Sequence, residues 1–512
     1  MAGDSDYEIG VKPEDNEIYS GTSTDVWPNL DHSKPLKTTN DGHTVLIPQP
    51  SDDPNDPLNW TQSRKNIILL VVSATAFLAD FGSSMGAVTS VVQSSLLPHG
   101  QWDIPQTTVN HSLVGNLFML GAGGIFVIVL SVYFGRLPVL FWFLVVAICT
   151  AAWCGAAVTF DSFMVARIIN GFFSTVGQAG GLMFINDMYF FHEHPRKINI
   201  WSGFIVLSPY LGPFCASFIV WKSIWRWAFY LVAILSALCW LAVLAFADEI
   251  YYNRQTSADQ LSARRSRLLR LIGIEQWKTR DQRSSFMRAL HRPFLAIVKL
   301  PVLLSFGYYV FTFAWVIGLN TQISVFLTNP ELYAFNDKDL GLFYFAPIIA
   351  TILAEVAGHW LHDLAAALYT RQHAGRFEPE ARLLPVYLAT PVMIIGIVLV
   401  GYGLQRVWHY MIIAVSMGLF VFGIMIVTTA INAYVLDSYP EASGEVSAWI
   451  NAGRTVGGFV ITYFEINWAE KEGTERSLGI QAAVVGAAVV MFVLPLQVWG
   501  KKMRIWQGKI EV

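Results

Sequence analysis

The sequence predicts an all-α integral membrane protein, with twelve transmembrane helices arranged as two pseudo-symmetric six-helix halves. Three observations carry this. Apolar runs recur from residue 66 to residue 499, close to the ~20 residues that cross a hydrocarbon core. Lys and Arg gather on alternate breaks between the runs, and short marks of the first half return in the second at a nearly constant offset. Composition agrees, because 54% hydrophobic and 14% charged residues with a mean hydropathy of +0.46 leave too little charge for a soluble multidomain chain. The net charge of −3 averages an acidic tail against basic loops, so no nucleic-acid partner is expected.

Residues 1–65 hold twelve of the 37 acidic residues and few apolar ones, a composition that cannot bury enough surface to fold alone. A disordered cytosolic tail is expected there. It lacks an apolar core segment, so the first span, rather than a cleavable signal, starts insertion. Spans are expected near 66–92, 109–130, 138–159, 163–188, 198–220 and 227–247, forming an N-terminal six-helix bundle over 66–247. A cytosolic linker fills 248–300. A C-terminal bundle over 301–499 follows, with spans near 301–327, 340–358, 385–404, 408–432, 446–465 and 477–499, and residues 500–512 return to the cytosol. With the N-terminus inside, 26 of the 34 Lys and Arg fall on cytoplasmic segments, six fall outside, and Arg167 and Arg454 lie within spans. That bias places both termini in the cytoplasm. The linker's basic segment, Arg264, Arg265, Arg267 and Arg270, is either topogenic charge or an amphipathic helix on the anionic inner leaflet.

The marks that repeat are Pro138 and Pro385, 247 residues apart, then Pro195 with Pro440 and Gly212 with Gly457, each 245 apart. Three anchors at nearly one offset indicate a duplicated six-helix unit, which in transporters sets a binding site between the repeats. The four cysteines, Cys149, Cys154, Cys215 and Cys239, all sit in apolar runs and are expected to pack as free thiols. Two Asn-x-Ser/Thr patterns, at Asn59 and Asn110, fall on the cytosolic side and against the membrane, so neither is expected to be glycosylated.

Charges inside spans are costly, at least ~2.5 kcal/mol near mid-membrane, and each needs a partner. Asp80 lies 15 residues past Lys65, roughly 22 Å along a helix. Arg167, four residues after Phe163 on a descending span, lies about 6 Å under the outer border and ~24 Å above the inner one. The two depths nearly match. Arg454 is expected closer to the cytoplasm, level with Glu355 and Asp437, as an inner-gate salt-bridge cluster joined by Asp187. Gln178, Asn320, Gln322 and Asn432 are polar amides in apolar spans, which line a cavity or tie helices together. Among the aromatics of residues 308–315, Tyr309 and Phe313 are candidates for an aromatic wall that suits flat or cationic ligands.

Several segments resemble the major facilitator superfamily, and within it the fungal twelve-span drug and polyamine proton antiporter group. They are the pre-membrane stretch LIPQPSDDPNDPLNW, the loop LSVYFGRLPV (130–139), AGHWLHD with FEPEARL after the eighth span, and NAYVLDSYPE followed by NAGRTVGGF. The loop motif keeps Leu130, Gly135 and Arg136, but Val132 replaces its acid and Ile128 its first glycine; that acid helps latch the cytoplasmic side in the family, so the latch here is weaker or is supplied by other groups. Gly212-Pro213, with Ala216 and Ser217 in place of the last two glycines, is similar to the antiporter motif of the fifth span. Small residues there let helices approach and Pro bends the span. The resemblance implies the major facilitator fold, in which the first and fourth spans line the central cavity. An Asp80–Arg167 pair is therefore expected, the alternatives being Asp80 held by backbone or hydroxyl groups, or Arg167 paired with another acid or the substrate. Arg136, Asp187, Gly212, Pro213, Glu355, Asp437 and Arg454 are the expected gating residues.

No G-x-x-x-x-G-K-[ST] occurs, which argues against an ATP-driven pump, and His192-Glu193-His194 has the wrong spacing for a helical zinc site. No enzyme, cofactor or metal is expected. The expected protein is a proton-coupled, monomeric secondary transporter of the plasma membrane that exports a small organic compound, drug or metabolite by alternating access. The alternatives are a carrier of polyamine-like cations, with Glu355 or Glu465 as a second acid, and a sensor built on a transporter fold.

Overall fold

The long apolar runs form long helices because only a helix satisfies every backbone N–H and C=O within itself where no water can. The computed structural model describes residues 37–38, 46–94, 102, 104–252, 266–278, 285–372 and 378–510. The expected disordered tail lies mostly outside the described residues, as do Arg264 and Arg265. No strand occurs among the described residues.

Six long helices precede the linker: α1 (Gln62–Gln93), α2 (Gln106–Phe134), α3 (Arg136–Ala156), α4 (Phe160–Met188), α5 (His194–Lys222) and α6 (Arg226–Phe246). The linker folds into α7 (Arg267–Ile272), α8 (Ile274–Lys278) and α9 (Phe286–Val298). Then follow α10 (Leu300–Thr328), α11 (Asp337–Gln372), α12 (Leu384–Gln405), α13 (Tyr410–Ser438), α14 (Ser443–Thr462), the short α15 (Glu465–Glu472) and α16 (Thr474–Gln507). Among the described residues, eleven of the twelve long helices, α7, α8, α9 and α15 being short, are long and apolar enough to cross a membrane. The exception is α14, a 20-residue helix whose Glu445, Ser447, Asn451, Arg454 and Thr455 lower its hydropathy although all five are buried.

Local chemistry sets the ends. Gly135 alone separates α2 from α3, with a φ of 95° that a residue without a Cβ adopts readily. The Thr159 hydroxyl accepts from Ser162 N at the start of α4, and the Asn336 side chain accepts from Asp339 N at the start of α11, each satisfying an orphan helix donor. The last turns of α11 run well past the expected 340–358, because the polar residues that end the apolar run continue the helix and reach α5, where Arg196 bonds Asp363.

Packing repeats between the halves. In the first half α1 packs on α5, α2 on α4 and α3 on α6; in the second α10 packs on α14, α11 on α13 and α12 on α16. These are the same partnerships six spans later. The halves meet along α2 with α14 and along α5 with α11, again a symmetric pair of contacts. The linker does not present all its charge to lipid, since Arg270 is buried and bonds both oxygens of Asp248, at 3.0 and 3.1 Å.

Candidate functional site

The central site joins side chains from three helices of both halves. Asp80, on α1, is 4% exposed, and its Oδ2 accepts from Arg454 Nη1 of α14 and, at 2.9 Å, from Gln178 Nε2 of α4. Arg454 Nη2 donates to Gln178 Oε1 at 2.5 Å and to Asn451 Oδ1 at 2.9 Å. Gln178 Nε2 also reaches Ala76 O at 2.9 Å, and Asn451 Nδ2 donates to Thr175 Oγ1 at 3.0 Å. Charge-assisted bonds of this kind are the strong ones, and the shared acceptors make the ion pair tolerable away from water. Close backbone approach builds the site: a Cβ at Gly177 would collide with Thr75 and Ala76, so only glycine lets α4 press onto α1 at this level.

A cavity lies beyond this pair, toward the C-terminal end of α1. It has an empty volume of ≈390 Å³, part of it open to the surroundings, and is lined by Asp80, Ser83, Ser84, Leu113, Phe313, Asn320 and Arg454 among others. Phe313 supplies the aromatic face, with Arg454 Cζ 5.2 Å from its ring centre, and packs at a tilt against Tyr309, ring centres 5.4 Å apart. One cavity wall follows from proline chemistry. Pro213 has no N–H, so the carbonyl of Pro209 loses its helical partner, and Asn320 Nδ2 of α10 donates to that carbonyl at 3.1 Å. The adjacent Gly212 is pressed onto α1, where a Cβ would lie 2.7 Å from Phe81 O and overlap Ser84.

The expected Asp80–Arg167 pair is not formed. Arg167 is 1% exposed and at the foreseen level, but its guanidinium donates to the carbonyls of Gly82 and Ser83, at 2.8 and 3.0 Å, and stands 5.2 Å from the Phe229 ring. The azimuth around α1 decides this, since Asp80 points toward α4's later turns and α14 while Arg167 meets the backbone two and three residues on. The inner-gate cluster of Arg454, Glu355 and Asp437 is likewise not formed. Arg454 engages Asp80; Asp437 accepts from Arg382 Nε at 2.9 Å with His194 Nδ1 at 4.0 Å; Glu355 lies against Gly203 with its backbone carbonyl accepting from Asn199. The helix α14 begins at Ser443, three residues before the expected span, which carries Arg454 about 4.5 Å deeper.

Arg136 and Asp187, both expected at the gate, form an ion pair with each other. The acid absent at Val132 has a counterpart in Glu249, which accepts from the backbone N–H of Arg136 and Leu137 at 3.2 and 3.3 Å. On the same face, Arg292 of α9 pairs with Glu445 at 2.9 Å. Of the candidate amides, Gln178 and Asn320 join the site. Asn432 bonds the Thr428 carbonyl of its own helix, and Gln322 is fully buried but lines no part of this cavity. Asn451, Ser83, Ser84 and the Pro209 carbonyl join the site without being among the sequence candidates. Asn451 stands one turn before Arg454 in the quoted NAGRTVGGF, and that spacing was its available signal. No three His, Cys, Asp or Glu side chains gather as a metal site among the described residues.

Comparison with known proteins gives a consistent family. Residues 68–462 match the Major Facilitator Superfamily. Similar relatives include an uncharacterized MFS-type transporter of Schizosaccharomyces pombe, 24% identical over 92% of this chain and 89% of its own. Protein HOL1 of Saccharomyces cerevisiae is 22% identical over 96% and 94%, and the efflux pump radE of Floropilus chiversii is 24% identical over 88% and 83%. The solved MFS proton:xylose symporter XylE shares the fold with a TM-score of 0.59 at 15% identity, covering 85% of this chain and 96% of that one. The human organic anion transporter MFSD10 does so at 0.56 and 15%, covering 85% and 100%. With helices, packing and match in agreement, the chain belongs to the Major Facilitator Superfamily and is an integral membrane transporter.

Proposed function

We propose that this transporter is proton-coupled and exports a small organic compound by alternating access, as a monomer in the plasma membrane with both termini cytoplasmic and α14 as the eleventh of twelve spans. The observation that carries the reading is the Asp80–Arg454 pair at the base of the cavity. Its carboxylate belongs to the first half and its guanidinium to the second, so one proton on Asp80 removes the charge attraction that ties the halves together there. The halves then rock about the site and turn the cavity from one face of the membrane to the other. Deprotonation, or a substrate group that competes for Arg454 or Asp80, resets the pair. Burial of the ion pair makes this switch steep, because separating one partner leaves an uncompensated charge.

The lining favours an uncharged or singly charged amphipathic molecule over a polyamine-like cation, since its one carboxylate is already engaged by Arg454. Efflux pumps among the relatives support export. An untargeted comparison of metabolites inside and outside cells, with and without the protein, identifies the compound. In proteoliposomes loaded with it, Asp80→Asn is expected to abolish uptake driven by a pH gradient while exchange without a gradient persists; gradient-driven transport at the wild-type rate would refute the reading.

A further inference from the structure

A second buried carboxylate stands outside the cavity, without a cation. Glu465 opens α15 and is 1% exposed. Its Oε1 accepts a long hydrogen bond from Gln481 Nε2 of α16 at 3.4 Å, and its Oε2 has no hydrogen-bond partner. The carboxylate lies flat against α10: a Cβ at Gly318 would come within 2.6 Å of Glu465 Cδ. One turn along the same face of α10, Gln322 is fully buried with neither amide atom bonded, and Gln481 Oε1 is also unbonded. Ser477, one turn before Gln481, completes the polar layer at 3.5 Å from its Nε2. Among the described residues no Lys, Arg or His faces Glu465 from α10, α14 or α16; Gln481 is its interacting side chain.

Hydrogen-bond accounting favours the protonated carboxyl. As an anion, Glu465 holds a buried charge on one weak bond, the unbonded Gln322 Nε2 is the one spare donor of the layer, and two amide oxygens stay without any donor. As an acid, its Oε2–H becomes a donor, and Gln322 Oε1 and Gln481 Oε1 are the acceptors left over in that layer. A position in the first turn of α15 favours the anion only weakly, against the far larger cost of an unpaired buried charge.

We propose that Glu465, with Gln481 and Gln322, forms a proton-binding site in the second half, separate from the Asp80 pair. The carboxyl carries a proton in the packed arrangement and gives it up when α10 and α15 part. In that step the O–H bond breaks, the electron pair stays on the carboxylate, and the proton passes to water as hydronium. Because α10 also presents Phe313, Ile317 and Asn320 to the cavity, the site couples proton occupancy on the opposite face from the termini to the cavity wall. That coupling rests on the transport reading; the bound proton does not.

Infrared difference spectroscopy of the purified full-length protein in phosphatidylcholine nanodiscs, across a pH titration, tests it. The expected result is a protonated-carboxyl C=O band at neutral pH that E465Q removes and D80N leaves in place. Gln481→Leu, which keeps the carboxyl, is expected to shift the same band, so the test survives a poorly folded E465Q. A wild type without such a band, a band unmoved by both E465Q and Q481L, or a carboxylate band that responds to Na⁺ or K⁺ in place of pH would overturn the proposal. Wild-type transport in D80N would sink the Asp80 reading and leave this band untouched.

Discussion

Two buried arginines, Arg167 in the first half and Arg454 in the second, reach α1 at nearly the same level and meet different chemistry. Arg167 is bound by the carbonyls of Gly82 and Ser83, in its own half. Arg454 is bound by the Asp80 carboxylate and the Gln178 and Asn451 amides, and it crosses from the other half to do so. A carbonyl cannot take up a proton in the working range, whereas a carboxylate can. On the proposed mechanism, the same side chain at the same depth is a rivet in one place and a releasable link in the other. The nature of the acceptor, and whether it lies across the seam between halves, separates the two roles.

Breaking the link between the halves has the largest expected effect on transport. Asp80→Asn leaves Arg454 buried without its counter-charge, a loss of about 3–5 kcal/mol to the described arrangement, and thermal unfolding in nanodiscs should show it together with a lost pH dependence. Arg167→Gln removes two charged hydrogen bonds, about 1.5–3 kcal/mol each at most. Its melting temperature should fall while the pH dependence of transport is retained; a flattened pH profile would make Arg167 part of the switch. Gly212→Ala, which thrusts a methyl at Phe81 O and Ser84, should cost about 1–3 kcal/mol by overpacking and slow transport by moving α5 off α1. The smallest effect is expected from Asp363→Asn at the exposed end of α11, where the pair with Arg196 is half in solvent; such pairs are worth about 0.2–1 kcal/mol, and a small shift in melting temperature checks it.

Much of this fold is written in hydropathy and charge. The apolar runs, the one-sided Lys and Arg, and the repeated proline and glycine marks point to the helices and packing pairs observed. The least apolar of the long helices, α14, matters most to the site, because its Asn451, Arg454 and Ser447 are spent on contacts between halves. The sequence also conveys depth along a helix, and so puts Asp80 and Arg167 at one level. It does not convey azimuth, so it could not tell which of two arginines the carboxylate faces. Sequence puts Arg454 too shallow because the polar first turn of α14, Ser443-Gly444-Glu445, reads as loop when hydropathy alone marks the boundary. Asn320 illustrates another blind spot: its partner is a carbonyl freed by Pro213, a backbone acceptor that no side-chain pattern reveals.

The distance between the halves on the face that carries the termini tests the central claim most directly. Spin labels at Ile200 of α5 and Leu364 of α11, both exposed, in a background with the four cysteines replaced, report it by double electron–electron resonance. If protonation of Asp80 releases Arg454, a longer-distance population grows as pH falls in the wild type, is present at every pH in D80N, and keeps its wild-type pH dependence in R167Q. A distribution that ignores both pH and D80N would contradict the account.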